Sequence, residues 1–170
     1  GISEGRSWSI DGTRYGESLE LSQQDTLVLL VNERYKIPEN LYIDHNVFQL
    51  ASSNMITPDI RIYSTEGSTP TLRVQFYTQE EKPVYDNMDF NWNYKNDTLR
   101  FDNYIKLAGQ WRAQRVTLTL YLPENKKVLL PSQTSQYLRN LRDFDRGVRS
   151  RLNKDKILLI MQDGKLQPLM

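Results

Sequence analysis

The chain has 170 residues, a formal net charge of +1 and no cysteine. That length suits one domain with a core of its own, and the lack of cysteine excludes disulfides, thiolate metal sites and cysteine nucleophiles. A pI near 8.1 gives no broad basic field of the kind nucleic-acid binding uses, and no apolar run approaches the ~18 residues of a membrane span.

The chain opens Gly-Ile-Ser, with neither methionine nor a signal peptide. It reads as a segment of a longer protein, with Gly1 left by tag cleavage and residues 2–170 forming one β-rich domain. Before residue 131 the hydrophobic period is two. Short alternating runs are expected at residues 18–21, 26–31, 60–63 and 98–101. In residues 71–78, Leu72, Val74 and Phe76 point one way while Arg73, Gln75 and Tyr77 point the other. Residues 87–94 set Met88, Phe90, Trp92 and Tyr94 against Asp89, Asn91 and Asn93. Later, Val116, Leu118, Leu120 and Leu122 alternate with Thr117, Thr119 and Tyr121.

Turn chemistry separates these runs, at Asp11-Gly12, Pro38-Glu39-Asn40, Glu66-Gly67-Ser68, Lys95-Asn96-Asp97 and Pro123-Glu124-Asn125. Strands this short argue for an all-β sheet, sandwich or solenoid and against βαβ units. Periodicity does not choose among the three.

One segment departs from the pattern. Leu138, Leu141, Phe144, Val148 and Leu152 have the three-and-four spacing of an amphipathic helix, which places one helix near 133–153, capped by Ser132 or Thr134. Gly147 weakens that helix by about 1 kcal/mol relative to alanine. Residues 156–170 then carry a β-hairpin signal centred on Asp163-Gly164, with Pro168 sending the last strand to a sheet edge.

Few residues point to chemistry. His45 is the one histidine, which rules out a histidine-rich zinc site and leaves a single imidazole for any triad. The acids Glu80 and Glu81, Asp86 and Asp89, and Asp143 and Asp145 read as solvated turns; a glycosidase-like pair across two strands is the catalytic alternative. Glycine patterns for phosphate and acid spacings for calcium are missing. No catalytic, cofactor or metal residue is therefore assigned, and the chain is expected not to be an enzyme.

Two surface features remain. Between residues 131 and 156 seven basic residues face three acidic ones, a local +4 in a chain of +1. Arg139, Arg142, Arg146 and Arg149 would share one helical stripe, either as an ordinary solvated face or as a surface for anionic lipid headgroups or an acidic partner. Trp8, Tyr15, Trp92, Tyr94, Tyr104, Trp111 and Tyr121 serve either as core and cross-strand aromatics or as a sugar-stacking platform.

The order TPDIRIYSTEGSTPTLRVQFYTQ (57–79), FNWNYKNDTLRFDNYIKLAGQWRAQRVTLTLYLPENKKVLL (90–130) and the final Asp-Gly hairpin resembles a known family. It is similar to the C-terminal domain of Bacteroidetes proteins related to phage-shock protein C (PspC), itself akin to LiaF-type and adhesin-like β domains. The matching residues are Asp59, Ile60, Arg61 and Ile62, then Tyr94, Asp97, Leu99, Phe101 and Tyr104. They continue with Trp111, Arg112, Gln114, Val116, Leu120, Tyr121 and Pro123. Asn125 stands where the family has a turn glycine, and asparagine tolerates the left-handed conformation. The membrane-spanning PspC module does not occur in these residues.

The resemblance implies a β-solenoid or tightly stacked sheets. It also implies a periplasmic sensing or scaffolding domain of an envelope-stress protein, anchored by a segment outside this sequence. Its partners would be other envelope or membrane proteins or an anionic membrane surface, with no nucleic acid and no cofactor; an adhesin-like or carbohydrate-binding module is the alternative. Oligomeric state is not legible. Trp111, Arg112, Gln114 and Pro123 are expected to be structural, Trp111 packing at the entrance of a core strand while Arg112 and Gln114 bind turn carbonyls. Trp111→Ala should then cost about 3–5 kcal/mol in thermal unfolding; a variant that melts like wild type refutes the assignment.

Overall fold

The computed structural model describes residues 7–11, 14–23, 26–36, 47–50, 53–78, 88–109, 113–152 and 156–169. Its first strands are β1 (Ser7–Asp11), β2 (Arg14–Glu20), β3 (Leu27–Asn32), β4 (Val47–Leu50), β5 (Ser53–Ile56), β6 (Asp59–Thr65) and β7 (Thr71–Tyr77). There follow β8 (Met88–Asp89), β9 (Trp92–Lys95), β10 (Thr98–Asp102), β11 (Ile105–Leu107), β12 (Arg115–Pro123) and β13 (Lys127–Leu130). The hairpin β14 (Ile157–Gln162) and β15 (Lys165–Pro168) comes last.

One long ribbon organises them. Asn96 and Asp97 both adopt positive φ, 53° and 56°, the two-residue geometry that matches strand twist in a tight hairpin. From that tip the two legs stay antiparallel through three successive sheets, β9 with β10, then β8 with β11, then β7 with β12. The other side of the returning leg is paired as well, β10 with β3 and β12 with β6 in parallel, and β11 with β5 antiparallel. β13 then returns to lie parallel beside β3. The resulting sheets run β1-β2-β7-β12-β6, β15-β14-β13-β3-β10-β9 and β4-β5-β11-β8. This is the stacked, mainly β architecture expected, coiled around a central leg.

Alternation builds the core. Leu19, Leu72, Leu120 and Ile62 stand in one row across four strands, and all are buried. Leu29, Leu99 and Phe101 from the six-stranded sheet and Ile56, Ile105 and Leu107 from the four-stranded sheet join them in a single cluster. A one-residue slip would turn a whole row out to water, so the pattern fixes register.

The predicted turns at 66–68, 95–97, 123–125 and 163–164 behave as read, while Gly12 and residues 38–40 lie outside the described residues. Asn125 has φ 71° and so takes the left-handed role of the family's glycine. Asp163 and Gly164, with φ 53° and 77°, close the last hairpin, and β15 with Pro168 is a sheet edge. Residues 88–94 keep the predicted alternation, Met88, Phe90, Trp92 and Tyr94 being more buried than Asp89, Asn91 and Asn93; they are divided between two strands because at Phe90-Asn91 the outgoing leg passes from one sheet to the next.

The helix expected near 133–153 is corrected. Residues 132–152 hold two 3-10 turns, Ser132–Tyr137 and Leu141–Asp143, and one turn of α-helix, α1 (Arg146–Arg149). Leu138 and Phe144 are extended, and each bridges a strand, Ile60 and Leu166 respectively. Neither Ser132 nor Thr134 caps; the Thr134 hydroxyl donates to the Leu29 carbonyl at 3.1 Å. Asp145 caps α1 by accepting from the Gly147 N–H at 3.0 Å.

The segment is a strap that closes sheet edges. Asn140 imitates a strand neighbour for β6: its Oδ1 accepts from the Ile62 N–H at 3.1 Å and its Nδ2 donates to the Ile62 carbonyl at 2.6 Å. Its side of the bargain is full burial, with 3% of Asn140 exposed. Asn140→Ala should lower stability by about 1–3 kcal/mol, because both backbone groups of Ile62 lose their partner. In urea unfolding Arg142→Ala, at an exposed neighbour, should stay within ~0.5 kcal/mol of wild type; equal losses would refute the clip.

Candidate ligand-facing surface

Two groups of polar side chains draw attention, and they differ in what surrounds them. The first lies where β3, β9 and β10 leave the six-stranded sheet. Asp102, 1% exposed, accepts from the Asn91 N–H at 2.7 Å, the Asn32 amide at 3.2 Å and Arg34 Nη1 at 2.9 Å. Arg34 also grips Asp89 with both terminal nitrogens, at 2.8 and 2.9 Å, and the Tyr35 hydroxyl donates to Asp89 at 2.9 Å. Beside them Asn103 binds both backbone groups of Tyr35.

Two acids thus converge on one guanidinium. An acid pair for glycoside hydrolysis needs one carboxyl held protonated, whereas the hydrogen bond from Arg34 holds Asp89 below the usual carboxylate range. Burial, followed by the bond to Asp89, pushes Tyr35 up to about 12. The arrangement is chemically that of a clamp. The neighbouring depression, lined by Asn32, Asn91, Trp92, Asn93, Arg100 and Asp102, holds about 180 Å³.

The second group covers the outer face of the five-stranded sheet. Register places Gln75, Thr117 and Asp59 in one row, Arg73, Thr119 and Arg61 in the next, and Thr71, Tyr121 and Tyr63 in a third. Tyr77 and Arg115 pair at one end, the guanidinium 4.6 Å from the ring centre. At the other end Tyr63 and Tyr121 stack at 6.1 Å. The short threonines of β12 form a floor between longer rims, deep enough that Thr119 is 6% exposed while pointing away from the core. The hollow of about 220 Å³ is lined by Arg61, Gln75, Tyr77, Arg115, Thr117 and Thr119.

Among the described side chains, charge on this face is mostly positive. Asp59 is neutralised by Arg139 Nε at 3.0 Å, and Glu20 stands at the far end of the tyrosine row. Arg61, Arg73 and Arg115 have no carboxylate partner among the described residues; Arg61 reaches only the Tyr63 hydroxyl, at 3.5 Å.

The basic stripe expected on one helix is not assembled. Arg139 turns to Asp59 and to the Gln136 carbonyl, Arg142 sits in a 3-10 turn, and Arg146 and Arg149 lie on α1; the last three are exposed. Gln114 is buried, and Pro123 ends β12 with its carbonyl accepting the Lys126 N–H at 3.1 Å. Trp111, Arg112 and His45 lie outside the described residues, as do the side chains of Trp8 and Tyr15. Trp92 and Tyr94 are half-buried against the core, so of the proposed aromatic platform Tyr121 reaches the arginine-bearing face. Alternation did show that Arg73 and Tyr77 point outward; the pairing of β6 with β12, which brings Arg61 to them, leaves no local mark in the sequence.

The clamp makes stability depend on pH with a definite sign. Asp89 has a lowered folded pKa, so its contribution is present above about pH 4 and lost as pH falls through the lowered value; that of Tyr35, with a raised pKa, is present below about pH 10 and lost above it. The melting difference between wild type and Asp89→Asn should therefore be constant from about pH 5 to 9 and shrink below about pH 4. A difference that grows on acidification refutes this.

Residues 42–168 match the family described as the Toast-rack found in some PspC proteins, at the C-terminus of those chains. No curated protein and no solved structure matches the chain. The matched span takes in the whole ribbon, the strap and the last hairpin, and the family is a non-catalytic accessory one. On that match the chain belongs to the Toast-rack domains of PspC-related proteins.

Proposed function

We propose that this chain is a non-enzymatic sensing or scaffolding domain of an envelope-stress protein, held at the periplasmic side of a membrane by a segment outside this sequence, and that it acts by binding. One observation carries the reading. The polar side chains that converge in the described structure, Asp102, Asn103, Arg34 and Asn140, are committed to backbone groups and to one another. Meanwhile Arg61, Arg73 and Arg115 have no carboxylate partner among the described residues and lie on an open sheet face. Catalysis requires reactive groups converging in a shielded site, whereas binding requires complementary groups on a surface, and the arginine-bearing face supports the second reading. Family membership supports the stress-response setting.

Location is the part most directly tested. The 170 residues carry no cysteine, so Ser68→Cys in an exposed turn gives the domain one thiol of its own, introduced into a full-length protein in which any cysteine outside this segment has been changed to serine. A membrane-impermeant maleimide should label it in cells whose outer membrane alone has been opened. Labelling only after complete lysis would refute the periplasmic placement.

A further inference from the structure

The geometry points to the threonine-floored trough along β12 as a binding site for an anionic glycan, a chain of sugar rings carrying carboxylate or phosphate groups. The inference names the ligand of the binding domain proposed above and rests on that reading.

The shape is that of a channel for a polymer. From Arg115 to Tyr121 the floor runs along one strand for about 20 Å, and its rims on β7 and β6 stand about 10 Å apart, two strand spacings. Arg73 and Arg61 stand in register on either side of Thr119, and Arg61 and Arg115 line the hollow itself, so a ligand lying there meets guanidinium groups from β6 and β12 with Arg73 on the β7 rim beside it. Arginine forks match the planar oxygens of carboxylate and phosphate. At one end the Arg115 guanidinium lies over the Tyr77 ring, and at the other Tyr63 and Tyr121 stack, giving the trough an aromatic end of the kind that sugar C–H faces pack against. Thr117, Thr119 and Gln75 supply hydroxyl and amide partners between them.

The same surroundings disfavour an inserted lipid surface and a peptide strand added at β6. Insertion into a bilayer needs an apolar face, and the large exposed hydrophobic residue among those described is Leu169, at the end of the chain. Capture of a peptide by strand addition needs an open edge, and the strap occupies the edge of β6 beside this face, through Arg139 on Ile60 and Asn140 on Ile62. A ligand that lies across the face needs neither.

Polygalacturonate and phosphorylated dextran are the probes, used with the purified chain in affinity electrophoresis and calorimetry at low and at physiological salt. Wild type should bind at least one of the two, and which one it binds distinguishes carboxylate from phosphate. Neutral dextran, poly-L-glutamate and phosphatidylglycerol vesicles should bind about tenfold more weakly or not at all. The triple change Arg61→Gln, Arg73→Gln, Arg115→Gln should weaken binding about tenfold or more. The charge-matched triple Arg142→Gln, Arg146→Gln, Arg149→Gln should change it less than about twofold. Circular dichroism and melting of both triples confirm folding, and a face triple that does not fold is replaced by the single change Arg73→Gln, expected to weaken binding about threefold.

Binding of neither charged glycan, equal losses in the two triples, or equal affinity for poly-L-glutamate or the vesicles overturns the site. A chain that binds the glycan through this face yet labels only after lysis retains the site and loses the periplasmic placement. Correct labelling without glycan binding does the reverse.

Discussion

The clamp at Asp102 and Asn103 is the constraint on which the stacked coil depends. Where the central leg leaves the six-stranded sheet, the legs on either side of it must bend at the same level, and regular ladder bonds lapse across the bend. Backbone groups freed there still need partners. Asp102 accepts the N–H of Asn91 from one neighbouring leg and the side chains of Asn32 and Arg34 from the other. Asn103 binds both backbone groups of Tyr35. A buried carboxylate would be costly alone; three donors from two directions make it the point where three chains are fastened in register.

Asparagine is used twice in the same way. Asn103 at the corner and Asn140 in the strap each present amide oxygen and nitrogen to one residue's N–H and carbonyl. The second use protects β6, whose outer edge would otherwise offer free ladder groups to another chain. β15 is covered similarly, since the Asp145 N–H donates to the Leu166 carbonyl at 3.0 Å and Phe144 bridges the same residue. Charge clustered along the sequence is thus dispersed in space. Arg139 turns in to Asp59 while Arg142, Arg146 and Arg149 turn out to water, and the basic surface that does form gathers residues from β6, β7 and β12.

That contrast explains what the sequence could reveal. β7, β12 and the final hairpin were legible because period-two alternation and positive-φ turn residues are local signals, and they report which side chains face outward. The strap resembles a helix in sequence because Leu138, Leu141 and Phe144 recur every third residue, a spacing that 3-10 turns share with an α-helix. What decides between them is the demand of Ile60, Ile62 and Leu166 for partners, which is tertiary. The arginine face is hidden for a related reason: no rule of composition pairs β6 in parallel with β12 across the 49 residues, 66 to 114, that separate them. Family resemblance supplied the architecture where local patterns stopped.

β12 connects the core to the exposed face. Its inward residues Val116, Leu118, Leu120 and Leu122 lie at the middle of the hydrophobic cluster, and its outward residues Thr117, Thr119 and Tyr121 floor the trough. It is paired on both sides along most of its length, with β7 and with β6, so the floor is fixed before anything binds. Little ordering of backbone is then needed on association, and the cost falls mainly on the arginine side chains at the rims. A platform built this way recognises by the spacing of its charges and responds poorly by changing shape, because displacing Thr119 would also displace Leu118 and Leu120 from a close-packed core. Occupancy is better reported by what the bound ligand brings near the domain, or by the pull it exerts on whatever holds the domain in place, than by a rearrangement inside it.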